Sequence, residues 1–191
     1  MSGQGWLPIA AELHAFDPPV WVFGGIAEEA LLEGSINQDH GDIDVLVDRD
    51  RLSEHQDSFQ AIGYPPFQVL FEVVAGQPLV LGAERDGMPL EIGVFDTVGS
   101  SGAASFVLPT DDGLTRIILP DDTFRHPVIE VGGMRVRTVS PLALYHMRVA
   151  FIQTGVFGPP RDKDVTTQAR LRDSLLANVP EDGLRLRTIP V

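Results

Sequence analysis

The alternation of hydrophobic and polar positions predicts a chain that is rich in strands at first and helical towards its end. Apolar runs at residues 20–23 and 42–47 are typical of strands, and apolar positions in residues 26–32 recur at helical spacing, with Gly34 as the stop. Further helices are predicted at residues 7–16 and 51–62, further strands at 67–74, 79–84 and 88–95, and turns at Gly76-Gln77-Pro78 and Asp86-Gly87.

The second half of the chain changes in character. Residues 98–127 are rich in Gly, Ser, Asp and Pro and hold either a hairpin or an ordered loop. Residues 128–137 carry two apolar stretches around Gly132-Gly133, which predicts a hairpin. Ser140 before Pro141 is typical of a helix start. Helices are then predicted at residues 142–154 and 162–176.

This order of elements predicts an α+β fold. We place a core at residues 1–137 and a C-terminal helical segment with a tail at residues 138–191. Residues 1–5 show no signal peptide, and no stretch approaches the ~20 apolar residues of a membrane-spanning helix. A cytoplasmic protein without membrane contact is therefore expected, and a homodimer is left open.

The amino-acid composition argues against several classes of function. The formal net charge is −13, which argues against general nucleic-acid binding because that needs a basic surface. An acidic chain better suits a small or cationic acceptor, or a protein partner. The chain has no cysteine, so it can form neither disulfides nor a thiolate zinc site.

Two carboxylates are the first candidates for chemistry. Asp42 and Asp44 lie in the segment His40-Gly41-Asp42-Ile43-Asp44-Val45, two residues apart in a predicted strand. Because side chains alternate across a strand, both carboxylates are expected on one face, opposite Ile43 and Val45. Two neighbouring carboxylates repel each other when no cation is bound, and their oxygens are the ligands that Mg²⁺ prefers. The alternative is a solvated strand end.

Two further features support a phosphate and metal site. Gly24-Gly25 follows a predicted strand and precedes a helix, so backbone N–H groups there can approach phosphate. A third carboxylate is expected on a later strand, and Glu91 between Leu90 and Ile92 is the best candidate. Glu72 and Asp96 are competitors.

Together, the glycine pair, the His-x-Asp-x-Asp segment and the later acidic residue resemble the DNA polymerase β-type nucleotidyltransferase superfamily. The nearest likeness is to small aminoglycoside and lincosamide nucleotidyltransferases, and it extends to Pro160-Arg161-Asp162-Lys163-Asp164. The resemblance implies a mixed β-sheet flanked by helices. It also implies transfer of a nucleoside monophosphate from ATP or another NTP to a hydroxyl of a small molecule, with an aminoglycoside-like acceptor among the candidates.

The resemblance also implies roles for single residues. Asp42, Asp44 and Glu91 would hold Mg²⁺, and Glu91 could take the acceptor's proton. Gly24 and Gly25 would line the triphosphate site. Lys163, the only lysine in the chain, would contact phosphate, unless it is a surface partner of Asp162 or Asp164.

Some positions depart from the family pattern or allow two interpretations. Residues 35–39 lack the basic residues that close relatives carry, and the third carboxylate is Glu where Asp is commoner. His40 would either contact the nucleotide or brace the turn, and bracing is favoured. Arg148 and Arg170 could line the cleft, although surface roles are the default. The alternative functions are a toxin–antitoxin-type enzyme acting on protein or tRNA, or a catalytically weak nucleotide-binding scaffold.

Overall fold

A computed structural model describes residues 6–37, 40–98 and 103–191. The helices among these residues are α1 (Trp6–Leu13), α2 (Gly24–Glu33), α3 (Leu52–Ala61), α4 (Pro141–Thr154) and α5 (Asp162–Leu175), with a 3₁₀ turn at Arg49–Arg51. The strands are β1 (Trp21–Val22), β2 (Ile43–Asp48), β3 (Gln68–Val74), β4 (Gln77–Arg85), β5 (Met88–Val98), β6 (Ala103–Thr110), β7 (Gly113–Ile118), β8 (Ile129–Val131), β9 (Met134–Val136) and β10 (Arg187–Pro190). No helix in these ranges is long and apolar enough to cross a membrane.

The long strand β5 organises a mixed sheet in which the strand order is β1-β2-β5-β6-β7-β10. The first half of β5 lies parallel to β2 and antiparallel to β4, which in turn pairs with β3. The second half of β5 pairs with β6. Strands β8 and β9 form a separate hairpin, as predicted. The predicted α+β fold class with a mixed sheet flanked by helices is confirmed.

A large part of the core lies against one face of this sheet. On β2, Ile43, Val45 and Val47 are fully buried, as the predicted alternation requires. Leu90 and Ile92 on β5 and Phe59 on α3 belong to the same hydrophobic cluster. The residues of β2 and β5 that alternate with these positions lie on the opposite face, which carries the acidic side chains described below.

Several predicted boundaries were wrong in detail. Strand β2 begins at Ile43, so Asp42 lies just before it, and Gly24-Gly25 opens α2 instead of preceding it. Gln77 and Pro78 belong to β4, and the turn is at Ala75-Gly76. Residues 38–39 and 99–102, which fall in two of the predicted loops, lie outside the described residues.

The hairpin alternative for residues 98–127 is confirmed, because β6 and β7 pair antiparallel along their length. The predicted cap of α4 is also correct, since Ser140 Oγ accepts a hydrogen bond from Ala143 N at 3.2 Å. The tail is more ordered than predicted: β10 adds an antiparallel strand to β7. The C-terminal segment therefore contributes to the sheet, and the boundary at residue 137 stays a prediction.

Candidate active site

The chain order of β1 and α2 brings a helix start to the acidic strand. Strand β1 pairs antiparallel with β2 so that Val22 lies opposite Val45. The next residue, Phe23, donates its backbone N–H to Asp44 O at 3.0 Å. Helix α2 begins immediately afterwards at Gly24, and its first backbone N–H groups are free of helical partners, as at any helix start. The positive end of α2 therefore lies next to Asp44.

Gly24 makes this approach sterically feasible. Its φ is +63°, and a Cβ at this position would lie only 1.9 Å from Asp44 Oδ2. Any side chain at position 24 would displace the carboxylate or the helix start. Gly25 is closer to the loop, since its Cβ would lie 3.2 Å from His40 Nδ1. Both predicted glycines thus border the acidic segment.

Strand register adds a third carboxylate. In the parallel pairing of β2 and β5, Asp44 is the direct partner of Glu91. Partner residues on neighbouring strands share a face of the sheet, so both carboxylates belong to the same side. Asp42 precedes β2 by one residue and is exposed. The three predicted acids therefore lie near the beginning of two adjacent strands.

The competing acids are placed elsewhere. Asp96 forms ion pairs with Arg49 and, at 3.6 Å, with Arg116. It is five residues beyond Glu91 on β5, and therefore points to the opposite face. Glu72 lies on β3, two strands away from β5, where it accepts a hydrogen bond from Gly76 N.

Burial and neighbouring negative charge raise the pKa values of Asp44 and Glu91. Burial, followed by the charges of Asp42, Glu91 and Glu28, raises the pKa of Asp44 to about 8, while the charge of Arg148 opposes this shift. Partial desolvation also raises the pKa of Glu91, and the charge of Asp42 adds to this effect. The Glu91 side chain is nevertheless exposed to solvent. Uncompensated negative charge is therefore concentrated at this end of the sheet.

A network of ion pairs joins three helices beside Asp44. Arg148 on α4 forms an ion pair with Glu28 on α2 and contacts Asp164 Oδ1 on α5 at 2.7 Å. Asp164 also accepts from Arg161 Nε at 2.9 Å and from Arg161 N at 3.0 Å, which caps α5. These hydrogen bonds lower the pKa of Asp164 to about 2. The network ties the start of α5 to the first turns of α2.

Comparisons with known proteins identify the family of this chain. A sequence profile of the aminoglycoside-2''-adenylyltransferase family matches residues 7–171, most of the chain. The chain belongs to this family. The resemblance to small aminoglycoside and lincosamide nucleotidyltransferases is confirmed, and so is the prediction of a nucleotidyltransferase enzyme. No curated protein sequence is significantly similar to the chain.

Solved structures agree with the fold expected of this family. The chain is similar to ANT(2'')-Ia in complex with adenylyl-2''-tobramycin, with a TM-score of 0.62, 19% identity, and coverage of 93% of both chains. It is also similar to the solution structure of the antibiotic-resistance factor ANT(2'')-Ia, with a TM-score of 0.61 and 19% identity. This match covers 96% of this chain and 89% of that one. A third similar structure is the lincosamide antibiotic adenylyltransferase LnuA bound to lincomycin, with a TM-score of 0.53 and 18% identity. This match covers 80% of this chain and 85% of that one.

In this member of the adenylyltransferase family, His40 braces the loop before Asp42. Its Nε2 lies 2.8 Å from Glu29 Oε2, and Asn37 N donates to Glu29 Oε1 at 2.7 Å. Glu29 is buried on α2, and the Trp6 ring meets the His40 ring edge-on at 6.4 Å. The loop is thereby attached to the same helix whose start borders Asp44. Direct contact between His40 and a nucleotide stays a prediction.

The predicted basic residues have different environments. Lys163 is exposed in the first turn of α5 and forms no ion pair with any residue the structure describes, so its phosphate role stays a prediction. Arg170 has the expected surface role, since its pair with Glu33 is exposed. The default surface role was wrong for Arg148, whose side chain is only 18% exposed because two buried carboxylates surround it.

Sequence reasoning missed Glu28 and Asp164 as partners of Arg148. One signal was present: Glu28 and Arg148 each interrupt an otherwise apolar stretch of a helix. Charged residues at buried helical positions are almost always paired. That signal indicates a partner but does not identify it.

The residues present fit a divalent cation. The donors are carboxylate oxygens, the ligands that Mg²⁺ prefers, and no side chain at Gly24 fills the space beside Asp44. A bound cation would offset the burial of Asp44 and the repulsion by its acidic neighbours, which together raise its pKa. Across the described ranges, no three His, Asp or Glu side chains are already arranged as a metal site.

Proposed function

We propose that this chain is a Mg²⁺-dependent nucleotidyltransferase that moves a nucleoside monophosphate from ATP or another NTP to a hydroxyl of a small molecule. One observation carries the proposal: α2 begins against Asp44, whose register partner is Glu91. The start of α2, which we propose binds phosphate, thus lies beside the acidic residues. The names of the relatives agree, since they act on aminoglycosides or bind lincomycin.

In this proposal Asp42, Asp44 and Glu91 hold Mg²⁺. The cation, when bound, neutralises charge on the triphosphate and polarises the phosphoryl group under attack. The backbone N–H groups at Gly24 and Gly25 receive phosphate oxygens, and the dipole of α2 favours that negative charge. Lys163 supplies a second cation from the start of α5.

The transfer itself is an in-line displacement. The acceptor oxygen forms a bond to the α-phosphorus, the bond between that phosphorus and the α,β-bridging oxygen breaks, and pyrophosphate leaves. Glu91 accepts the proton of the acceptor hydroxyl. Its raised pKa suits a proton acceptor at neutral pH better than that of an ordinary surface glutamate.

The overall charge supports a small acceptor. At −13 the chain would repel nucleic acid, whereas a neutral or cationic molecule meets no such barrier. Asp42, Asp44 and Glu91 lie close together at this side of the sheet, so the local charge has the same sign as the net charge of the chain.

The proposal is tested by incubating purified protein with Mg²⁺, ATP and either tobramycin or lincomycin. Pyrophosphate release and the mass of an adenylylated acceptor are then measured. Wild-type protein should produce both, and Asp44→Asn should produce neither. Asp48→Asn is the matched control, because Asp48 lies on the same strand and accepts a hydrogen bond from Asp50 N, which an asparagine side-chain oxygen can also accept. This control should retain activity.

Other outcomes favour the alternatives. NTP binding without pyrophosphate release across acceptors would indicate a catalytically weak nucleotide-binding scaffold. Nucleotidylation of added tRNA or protein, but of no small molecule, would support the toxin–antitoxin type. If no NTP with Mg²⁺ shifts the thermal unfolding midpoint, the nucleotide site itself is refuted.

A further inference from the structure

The face of the sheet that carries Asp44 and Glu91 continues onto β4 and β3. Gly82 on β4 is the register partner of Glu91. The side chain of Leu70, from β3, covers Gly82 so closely that a Cβ there would lie 2.7 Å from Leu70 Cδ1. Leu70 is nevertheless 55% exposed. An open aliphatic surface therefore begins one strand away from Glu91.

Two aromatic residues extend this surface. Phe71 pairs with Val80 on β4, and Val80 pairs with Gly93 on β5, so Phe71 also belongs to the carboxylate face. Its ring lies 5.8 Å from that of Phe157, in the connection between α4 and α5. Phe157 packs edge-on against Phe151 of α4 at 4.9 Å and remains 53% exposed. We call Leu70, Phe71 and Phe157 the apolar wall.

The position of the wall indicates a small molecule as its occupant. Strand β3 is an edge strand, but its pairing with β4 shifts register three times between Val69 and Val74. Such bulges disrupt the ladder that a second chain would need for strand addition. The wall begins one strand away from Glu91, and Phe157 lies in the connection that leads to Arg161 and Lys163 at the start of α5.

We infer that the apolar wall binds the apolar part of the acceptor, so that the acceptor is an amphipathic, hydroxylated ring compound and not a polycation. This inference rests on the proposed function. Neighbouring strands are ~4.8 Å apart, so the wall lies roughly 5–10 Å from Glu91, about the width of one sugar ring. An ammonium group against Leu70 would lose water without gaining a partner. An alkyl group there would gain from burial.

The test measures acceptor binding and turnover separately. Binding of lincomycin and of tobramycin to the full-length protein is measured by calorimetry without nucleotide, and adenylyl transfer by mass spectrometry. Leu70→Ala and Phe157→Ala should each weaken lincomycin binding and raise its KM by about tenfold or more. Tobramycin binding should be weaker than that of lincomycin and unchanged by either substitution.

Two matched controls come from the chain itself. Val69→Ala alters a neighbour on β3 that is 54% exposed but pairs with the buried Leu81, on the other face. Ile189→Ala alters an equally exposed residue on β10, at the far edge of the sheet. Neither should change lincomycin binding. Leu70 and Phe157 are about half exposed, so circular dichroism and the unfolding midpoint of their variants should stay near wild type.

The outcomes separate this inference from the proposed function. Wall-dependent lincomycin binding without adenylyl transfer would support the wall and refute the proposed function. Transfer to tobramycin or lincomycin with KM values indifferent to Leu70→Ala and Phe157→Ala would overturn the wall and leave the function standing. Absence of lincomycin binding, or equal losses in the control variants, would also overturn the wall.

Discussion

Gly24 lies directly against the carboxylate of Asp44, and a Cβ at position 24 would come within 1.9 Å of Asp44 Oδ2. Helix α2 can therefore begin beside the acidic strand only because residue 24 has no side chain. The same residue has a φ of +63°, which favours glycine for a second reason. Position 24 thus connects the backbone conformation of α2 with the location of Asp44.

Replacing Gly24 by alanine should abolish Mg²⁺-dependent ATP binding, because the new methyl group would displace Asp44 or the first N–H groups of α2. Calorimetric titration with ATP and Mg²⁺ measures the loss. Gly34→Ala is the control: Gly34 has a φ of +66° at the other end of α2 but no atom near its Cβ position. It should lose about 1–2 kcal/mol of stability and keep ATP binding. Equal losses of binding in both variants would contradict the assignment.

Metal binding should release protons. The pKa of Asp44 is raised to about 8, so below that pH the carboxyl is mostly protonated and a cation must displace the proton. Affinity for Mg²⁺ should therefore increase with pH until about 8 and change little above it. Calorimetry in buffers of different ionisation enthalpy counts the protons at pH 7. Asp44→Asn should remove both the binding and the release; proton-independent binding by wild type would contradict the assignment.

Glu91→Gln should reduce kcat by about a hundredfold or more, since it removes a proton acceptor and a metal ligand. Glu72→Gln, on the edge strand, should leave kcat within about twofold. Asp96→Asn should instead lower stability, because Arg49 and Arg116 lose their shared partner. Steady-state kinetics and thermal unfolding of the three variants decide between the acids. If Glu72→Gln lost most of its kcat and Glu91→Gln lost none, Glu72 and not Glu91 would be the proton acceptor and metal ligand.

Arg148→Ala should destabilise the protein by about 3–5 kcal/mol, because it leaves Glu28 and Asp164 buried without their shared cation. Arg170→Ala, which removes an exposed pair with Glu33, should cost about 1 kcal/mol or less. Urea unfolding measures both. If the two substitutions cost the same, Arg148 is not the cation that holds α2, α4 and α5 together.

Stability should fall in mild acid because of His55. This histidine is fully buried on α3 with no hydrogen-bond partner among the described residues, and burial, followed by the charge of Arg51, lowers its pKa to about 4. The unfolded chain binds the proton near pH 6.5, so stability is complete above that pH and is lost as the pH falls towards 4. The loss is on the order of 3 kcal/mol.

The variant His55→Phe tests this contribution, since it keeps an aromatic ring at the site and removes the titrating group. Unfolding midpoints of wild type and variant are compared between pH 7 and pH 4. The difference should shift in favour of the variant as the pH falls. A constant difference over this range would show that His55 does not titrate on unfolding.

The sequence by itself determined the local structure and the family. Alternating apolar positions defined β2, helical spacing defined α2 and α4, and Ser140 with Pro141 defined a helix start, because these signals depend on neighbours within a few residues. The Asp-x-Asp segment and the glycine pair predicted the type of site for the same reason. The errors of the sequence-based prediction fell at the ends of elements: Asp42 lies just before β2, and Pro78 belongs to β4 and not to a turn.

Only the tertiary structure decided which distant residues meet. The parallel register of β2 and β5 makes Glu91, and not Asp96, the partner of Asp44, although both acids follow apolar residues on one strand. Helix packing decided that Arg148 joins Glu28 to Asp164. Strand register and helix packing link residues that are tens of positions apart, and no periodicity in one sequence encodes that pairing. The acidic residues could therefore be predicted from the sequence, whereas their arrangement around Gly24 could be determined only from the tertiary structure.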